Sequence, residues 1–437
     1  MNDIYIRCKY IISGPKCDKL IKEGAIIIEE DKIVAVGKEE DVKKLLSGHD
    51  KVDRSNHIMI PSLINGHTHL PETLLRGICD NQKLMVWLNE YIWPFEMEMS
   101  ADDAYYGALL GCLESIESGV GGFVDQYFYA ESIEKAAKEA KIRALLCPSL
   151  FDNTPESGSL EKTWSHILDL VERKCKGHIG LVSYGIGPHA PYTVPVEYLQ
   201  KTLDLASKYS LPIHIHLNET KREVDEAIEN FGMSPIEYIH DLGLTKVRIL
   251  GAHCVHTSPK EWQIMKENKM MVLHNPQSNL KMTSGIAPVY KYLELGIDVV
   301  VGTDGNASNN DLGMLEELAT TAMLQKYLAN DPSVLDNAST LTLGSVNGMK
   351  AMNIDSAGIS NNSAADLTIL SLEKSRSWPQ NNPLSNVIYS SSSSDVNDLV
   401  VNGEFVYRNR EHLTLDKWKI IEKCSEISNR ILSYIGK

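Results

Sequence analysis

Between about residues 57 and 351 the chain alternates short apolar runs with helical patterns, and nothing else in the sequence constrains the fold as strongly. The apolar runs are 58–64, 122–126, 143–146, 180–185, 212–217, 247–252, 270–274 and 297–302. Each has strand length. Helical spacing separates them, for example over 132–140, 196–208 and 260–267. Eight strands with intervening helices predict an α/β fold, a TIM-like (β/α)8 barrel, here assigned to residues 58–360.

The two ends of the chain have a different texture. Short β-rich runs at 4–12, 24–29 and 32–37 are matched late in the chain by 366–370, 399–401 and 405–407. Asn402-Gly403 is a hairpin-turn signal between the last two. This predicts one small β-sandwich domain built from residues 1–57 and 361–415. From 416 to 437, Trp418, Ile421, Ile427 and Ile431 recur at helical spacing, so the tail is expected to be a packing helix.

Composition narrows the function classes. The 437 residues include 43% hydrophobic side chains, enough for a large core. Lys plus Arg number 43 against 58 Asp plus Glu, a net charge of −15. Basic blocks are absent, so nucleic acid is not an expected partner. The chain also lacks an apolar run long enough to cross a bilayer and a signal-peptide pattern at its start, so no membrane association is expected. Eight scattered cysteines without a Cys-x-x-Cys pair read as reduced thiols of a cytoplasmic protein.

Chemistry concentrates where the apolar runs end. His67 and His69 are two apart, so in a strand they project to one face and can share a cation. His214 and His216 repeat the pattern. His216 lies nearer the strand end and is taken as the ligand, with His214 packing beside it. Glu219, three residues on, reaches over the same point if the chain bends into a helical turn, and is a candidate general acid and base. Asp304 ends an apolar run, where a carboxylate is costly unless paired or metal-bound. His253 can polarise a water. Cys254 and His274 read as structural, His256 as less well placed than His253, and His189 as a substrate contact. The stretch 70–99, with Trp87 and Trp93, is long enough to cover the barrel mouth. No lysine occurs in 180–187 to bridge two metals, so one ion is the economical reading. Three histidines and an aspartate suit zinc or iron(II). Such a set can turn water into a nucleophile near neutral pH.

Pro61-Ser62-Leu63-Ile64-Asn65-Gly66-His67-Thr68-His69, His216-Leu217-Asn218-Glu219-Thr220, Ala252-His253-Cys254-Val255-His256, His274-Asn275-Pro276-Gln277-Ser278-Asn279 and the segment from Gly302-Thr303-Asp304-Gly305 to Asn310 resemble the amidohydrolase superfamily. Within it the chain is most similar to the methylthioadenosine/S-adenosylhomocysteine deaminases of the aminohydrolase and chlorohydrolase branch, over essentially its whole length. The resemblance implies one divalent metal per subunit, zinc or else iron(II), held by His67, His69, His216 and Asp304. It implies Glu219, His253 and Asp304 as catalytic proton handlers, and Trp87, Glu96, His189 and Glu219 as substrate contacts, with Glu96 on the ribose hydroxyls. It also implies a small-molecule nucleoside as partner, and homo-oligomers occur among such proteins.

The implied reaction is hydrolytic deamination of an adenine nucleoside to the inosine analogue plus ammonia. Relatives that grip a homocysteine carboxylate can use arginines after the third strand and in the following loop. Leu146-Cys147-Pro148-Ser149 and Ser157-Gly158-Ser159-Leu160 contain none, which favours adenosine, 5'-deoxyadenosine or methylthioadenosine. The competing readings are deamination of a free base or pterin, s-triazine dechlorination on the same fold, and a metal-binding protein without catalysis.

Overall fold

Strands buried on both faces read as continuous apolar runs, and Val120–Tyr127 and Arg143–Leu150 are buried at every position. The computed structural model describes residues 3–46, 48–152, 154–175 and 180–435. Leu63–Thr68, Val120–Tyr127, Arg143–Leu150 and Val182–Tyr184 form one parallel arc. Ile213–Leu217, Ile249–His253, Met271–His274 and Asp298–Val301 form a second. The arcs meet at both seams. Ile186 pairs with Ile213 on one side. On the other, the Asp304 N–H donates to the His67 carbonyl at 2.9 Å. The closed ring is the expected (β/α)8 barrel, with Ala130–Ala140, Val196–Tyr209 and Pro259–Glu267 among its helices.

The second seam explains Asn65-Gly66. A Cβ on Gly66 would lie 2.8 Å from the Val301 carbonyl oxygen and 2.5 Å from Val300 Cγ1. Only glycine lets the first and last barrel strands approach this closely.

Both chain ends build one eight-stranded sheet, as the matching texture predicts. Its order runs from Glu411–His412 through Glu404–Arg408, Val396–Val401, Leu367–Ser371, Asp50–Pro61, Ile4–Ser13 and Lys19–Glu29 to Lys32–Lys38. Strands far apart in this order share one apolar cluster, for instance Ile33 and Val400 with Ile6 and Leu367, so the sheet curls over its own core. Asn402 and Gly403 both have positive φ, 51° and 80°, the mirror-image turn their sequence signals. The apolar run 58–64 is divided between two strands, Asp50–Pro61 in the terminal sheet and Leu63–Thr68 in the barrel. The first half of Asp50–Pro61 is polar, with only Val52 buried before Ile58, so period alone did not reveal it.

A buried ion pair joins the two parts. Arg143 Nε and Nη2 donate to the two Asp366 oxygens at 2.9 and 3.0 Å. The tail forms the helix Lys417–Ile435. Its buried stripe is Ile420, Cys424, Ile427 and Ile431, whereas Trp418 is 74% exposed. Ile427 and Ile431 are buried as expected, whereas Ile420 and Cys424 take the buried places expected of Trp418 and Ile421. The helix lies against Ala101–Glu117, where Cys424 Sγ donates to the Tyr106 carbonyl at 3.2 Å. Among the described residues no helix is long and apolar enough to cross a membrane.

Candidate active site

Each chemical residue stands at or just past the C-terminal end of a barrel strand, where such barrels place their reactive groups. His67 lies in Leu63–Thr68, His216 in Ile213–Leu217, and His253 closes Ile249–His253. The backbone leaves the extended region as these strands end. Asn218, His253, Cys254 and Asp304 have φ of 51°, 70°, 46° and 66°. Left-handed backbone at non-glycine residues costs about 1–3 kcal/mol each and persists only where the surroundings over-determine it. Asn218 shows how. Its side chain donates to the His256 carbonyl and to Glu261, at 2.8 and 2.6 Å, and accepts from the Ile236 N–H at 3.2 Å.

Two overlapping triads result. The donor atoms of His67, His69 and Asp304 lie within 4.8 Å of one another, as do those of His67, His216 and His253. Asp304 Oδ1 is 3.3 Å from Nε2 of both His67 and His69. Each imidazole is held through its other nitrogen. His69 Nδ1 donates to the Gln126 carbonyl at 2.6 Å and His216 Nδ1 to the His189 carbonyl at 2.8 Å. His67 Nδ1 pairs with His214 Nε2 at 2.8 Å, and His253 Nδ1 with the Asn279 amide oxygen at 2.8 Å. These bonds aim the Nε2 atoms inward. His67 Nε2 is fully buried and has no hydrogen-bond partner among the described residues. A buried orphan nitrogen facing a carboxylate and other imidazoles fits a divalent cation.

Electrostatics agree with that fit at His67, His216 and Asp304, and His69 differs. Burial pushes His67 down to about 4, so it presents a lone pair. Burial also opposes charge on His69, but Asp304 and Glu72 outweigh it and hold His69 up to about 10. Burial and the neighbouring imidazoles keep His214 and His216 well below the usual range. Burial would raise Asp304, yet the facing imidazoles of His67 and His69 hold it well below ordinary carboxylates. Ser278 and Ser308 donate to its second oxygen at 2.6 and 3.1 Å.

Glu219 reaches this centre by a route other than the expected helical turn. The helix begins only at Lys221. Left-handed Asn218 makes the bend, and Glu223 accepts the N–H groups of Asn218 and Glu219 at 3.1 and 2.7 Å. Glu219 Oε2 then stands 4.0 Å from His253 Nε2, and its Oε1 accepts from Ser284 at 3.1 Å.

A pocket opens over the triads, and Trp87, Glu96, His189 and Glu219 all line it. The 70–99 stretch covers the mouth as short turns of helix at Leu84–Trp87, Leu88–Ile92 and Trp93–Met97. Trp93 packs on Phe151, ring centres 5.4 Å apart, and Phe151 meets His189 edge-on at 5.1 Å. Glu96 is 5% exposed, and burial pushes its carboxyl up to about 7. Cys254 belongs to neither triad and donates to the Gly251 carbonyl. His256 Nε2 donates to the Ser284 carbonyl at 2.6 Å.

Several residues escaped the sequence reading. Ser278 and Asn279 sit inside a motif read for His274, and Ser308 inside the one read for Asp304. Glu72 and Gln126 both line the pocket. The signal for Glu72 was present, a lone carboxylate among Leu70, Pro71, Leu74 and Leu75. Nothing local singled out Gln126.

Known proteins resemble the chain along nearly its full length. The amidohydrolase family pattern matches residues 58–406. A 5'-deoxyadenosine deaminase from Methanocaldococcus jannaschii is 40% identical over 413 residues, 93% of this chain and 96% of that protein. A 5-methylthioadenosine/S-adenosylhomocysteine deaminase from Carboxydothermus hydrogenoformans is 38% identical over 404 residues, 91% of this chain and 92% of its own. Among solved structures, an adenosine deaminase from Xanthomonas campestris with bound zinc superposes with a TM-score of 0.95 at 30% identity, covering 99% of each chain.

Proposed function

The chain belongs to the amidohydrolase family, and from that premise we propose that it is a metal-dependent deaminase of adenine nucleosides, forming the inosine analogue and ammonia. The observation that carries this reading is the orphaned, buried Nε2 of His67 at the junction of two donor triads. We assign His67, His69, His216 and Asp304 to one divalent ion. Zinc is the first choice, supported by the zinc-bound relative, with iron(II) the alternative. When bound, such an ion supplies the Lewis acidity that brings the ionisation of water near neutral pH.

The side chains do the rest. His253, its ring turned by Asn279, orients the attacking water toward the carbon that bears the amino group. Asp304 accepts a proton from that water. Glu219 protonates the adjacent ring nitrogen; the proton held by Asp304 then passes to the amino group, which departs as ammonia, while the added hydroxyl returns its proton to Glu219 as it becomes the carbonyl. Glu96 accepts hydrogen bonds from the ribose hydroxyls, for which a carboxylate has the lone pairs. Trp87 and His189 wall the pocket. Among the described residues no Lys or Arg lines the pocket itself, which supports adenosine, 5'-deoxyadenosine and methylthioadenosine as substrates, while Lys83 and Arg222 line the neighbouring pocket that shares Leu84, Tyr192, Glu219 and Met282 with it. We place the enzyme in the cytoplasm, in keeping with eight unbridged cysteines.

The test is a panel of adenosine, 5'-deoxyadenosine, methylthioadenosine, guanine, cytosine and an s-triazine, offered to zinc-loaded protein and followed by ultraviolet absorbance and ammonia release. Turnover confined to the adenine nucleosides is expected. Ammonia from none of them above a metal-stripped control would overturn the assignment.

A further inference from the structure

A second cavity, of about 470 Å³, adjoins the active-site pocket and shares Leu84, Tyr192, Glu219 and Met282 with it. None of the four proposed metal ligands lines this annex, and neither do Glu96, Trp93 and Phe151. The annex therefore opens beside Glu219, and the carboxylate assigned to the ribose belongs to the first pocket alone.

Much of the annex lining is apolar, with Val86, Tyr192, Ala227, Phe231, Tyr238 and Met282 among it. Phe231 stacks on Tyr238, ring centres 4.3 Å apart and planes 14° apart. Even so, Phe231 stays 39% exposed and Tyr192 48%. Large apolar side chains left open in a concave site mark a place for an apolar ligand group. The charged residues nearby are engaged or stand in water. Glu223 accepts the N–H groups of Asn218 and Glu219, Arg222 Nε donates to Glu226 at 2.6 Å, and Lys83 is exposed.

Ring chemistry gives the annex a direction. In the proposed reaction Glu219 hands its proton to N1 of the purine. N1 has two ring neighbours, C6 and C2. C6 carries the amino group and faces the proposed ion, so C2 lies on the far side of N1. Resting on the nucleoside-deaminase reading, we infer that the annex receives an apolar substituent on C2, so that the enzyme deaminates 2-substituted adenine nucleosides. A group there passes Glu219 and reaches Met282 and the stacked pair of Phe231 and Tyr238, while the sugar stays at Glu96.

The experiment measures kcat/KM on the zinc-loaded enzyme for 2-alkylthioadenosines from methyl to butyl, beside 5'-alkylthio-5'-deoxyadenosines of the same lengths. Sulfur joins the chain to the nucleoside in every compound, so only length varies within a series. The C2 series should rise about two- to fourfold per added methylene, the worth of burying one, and the 5' series should not. Ala227→Phe narrows the annex and should flatten the C2 series relative to adenosine. A C2 series that is flat or falls with length, or a rise confined to the 5' series, would overturn the inference and leave the deaminase assignment intact. Failure of adenosine and 5'-methylthioadenosine to release ammonia would strike that assignment, and the inference with it. If Ala227→Phe does not fold, the two series on the unaltered enzyme decide.

Discussion

His67 Nδ1 lies 2.8 Å from His214 Nε2, with both rings fully buried. Two histidines on one face of the strand Ile213–Leu217 are thereby given different work. His214 spends a nitrogen on orienting His67, while His216 turns its free nitrogen toward the proposed ion. Removing the support should loosen the ligand it aims. His214→Ala is expected to weaken zinc affinity by about 10- to 100-fold, the usual effect of losing such a partner, measured by competition with a chromogenic chelator. Unchanged affinity would remove His214 from the account.

Glu219 is assigned the proton delivered to the purine ring, at 4.0 Å from His253. General acid–base contributions run to about 10²- to 10⁴-fold. Glu219→Gln should lower kcat by that order while zinc content stays at one per chain, checked by steady-state ammonia release beside metal analysis. Near-normal turnover would send the proton to another group.

Burial holds Glu96 up to about 7, against 4.5 for a free glutamate. A protonated Glu96 is a poorer acceptor for ribose hydroxyls, so KM for adenosine should rise as pH falls through about 7, and Glu96→Gln should flatten that profile at a higher KM. Stability follows from the same shift, with the sign fixed by linkage. The folded value lies above the unfolded one, so the group is neutral in both states below about 4.5 and is penalised in the fold above about 7. The wild type should therefore gain stability relative to Glu96→Gln as pH falls across that window. Urea midpoints of the two proteins at several pH values read this directly.

Arg143 and Asp366 tie the third barrel strand to the terminal sheet by two hydrogen bonds, with side chains 8% and 2% exposed. Breaking a buried pair from one side strands a charge and costs about 3–5 kcal/mol. Arg143→Met should lose stability of that order in denaturant unfolding, and Arg143→Met with Asp366→Leu should recover much of it. Equal stability of the single variant and wild type would show that the junction does not depend on this pair.

Much of this was legible from residue order, and particular elements show why. Ile213–Leu217 and Asp298–Val301 are short and, Asp298 apart, buried at every position, so their strand character was local information. The pairing of His67 with His69 followed from the two-residue period of a strand. The tail helix was legible as a helix, but its buried stripe runs through Ile420 and Cys424 instead of Trp418, because what it packs against lies more than three hundred residues away.

Composition and periodicity by themselves determined the alternation of strands and helices, the composite terminal sheet, and the appearance of histidines and an aspartate at strand ends. These are properties of a few neighbouring residues and of the backbone's own repeat. Tertiary structure alone decided that His214 pairs with the ring of His67, that Asn218 bends the chain to bring Glu219 beside His253, and that Glu72 and Gln126 share one pocket. Those relationships join side chains far apart in sequence across the barrel interior, and they arise only when closure at Gly66 brings the first and last strands together.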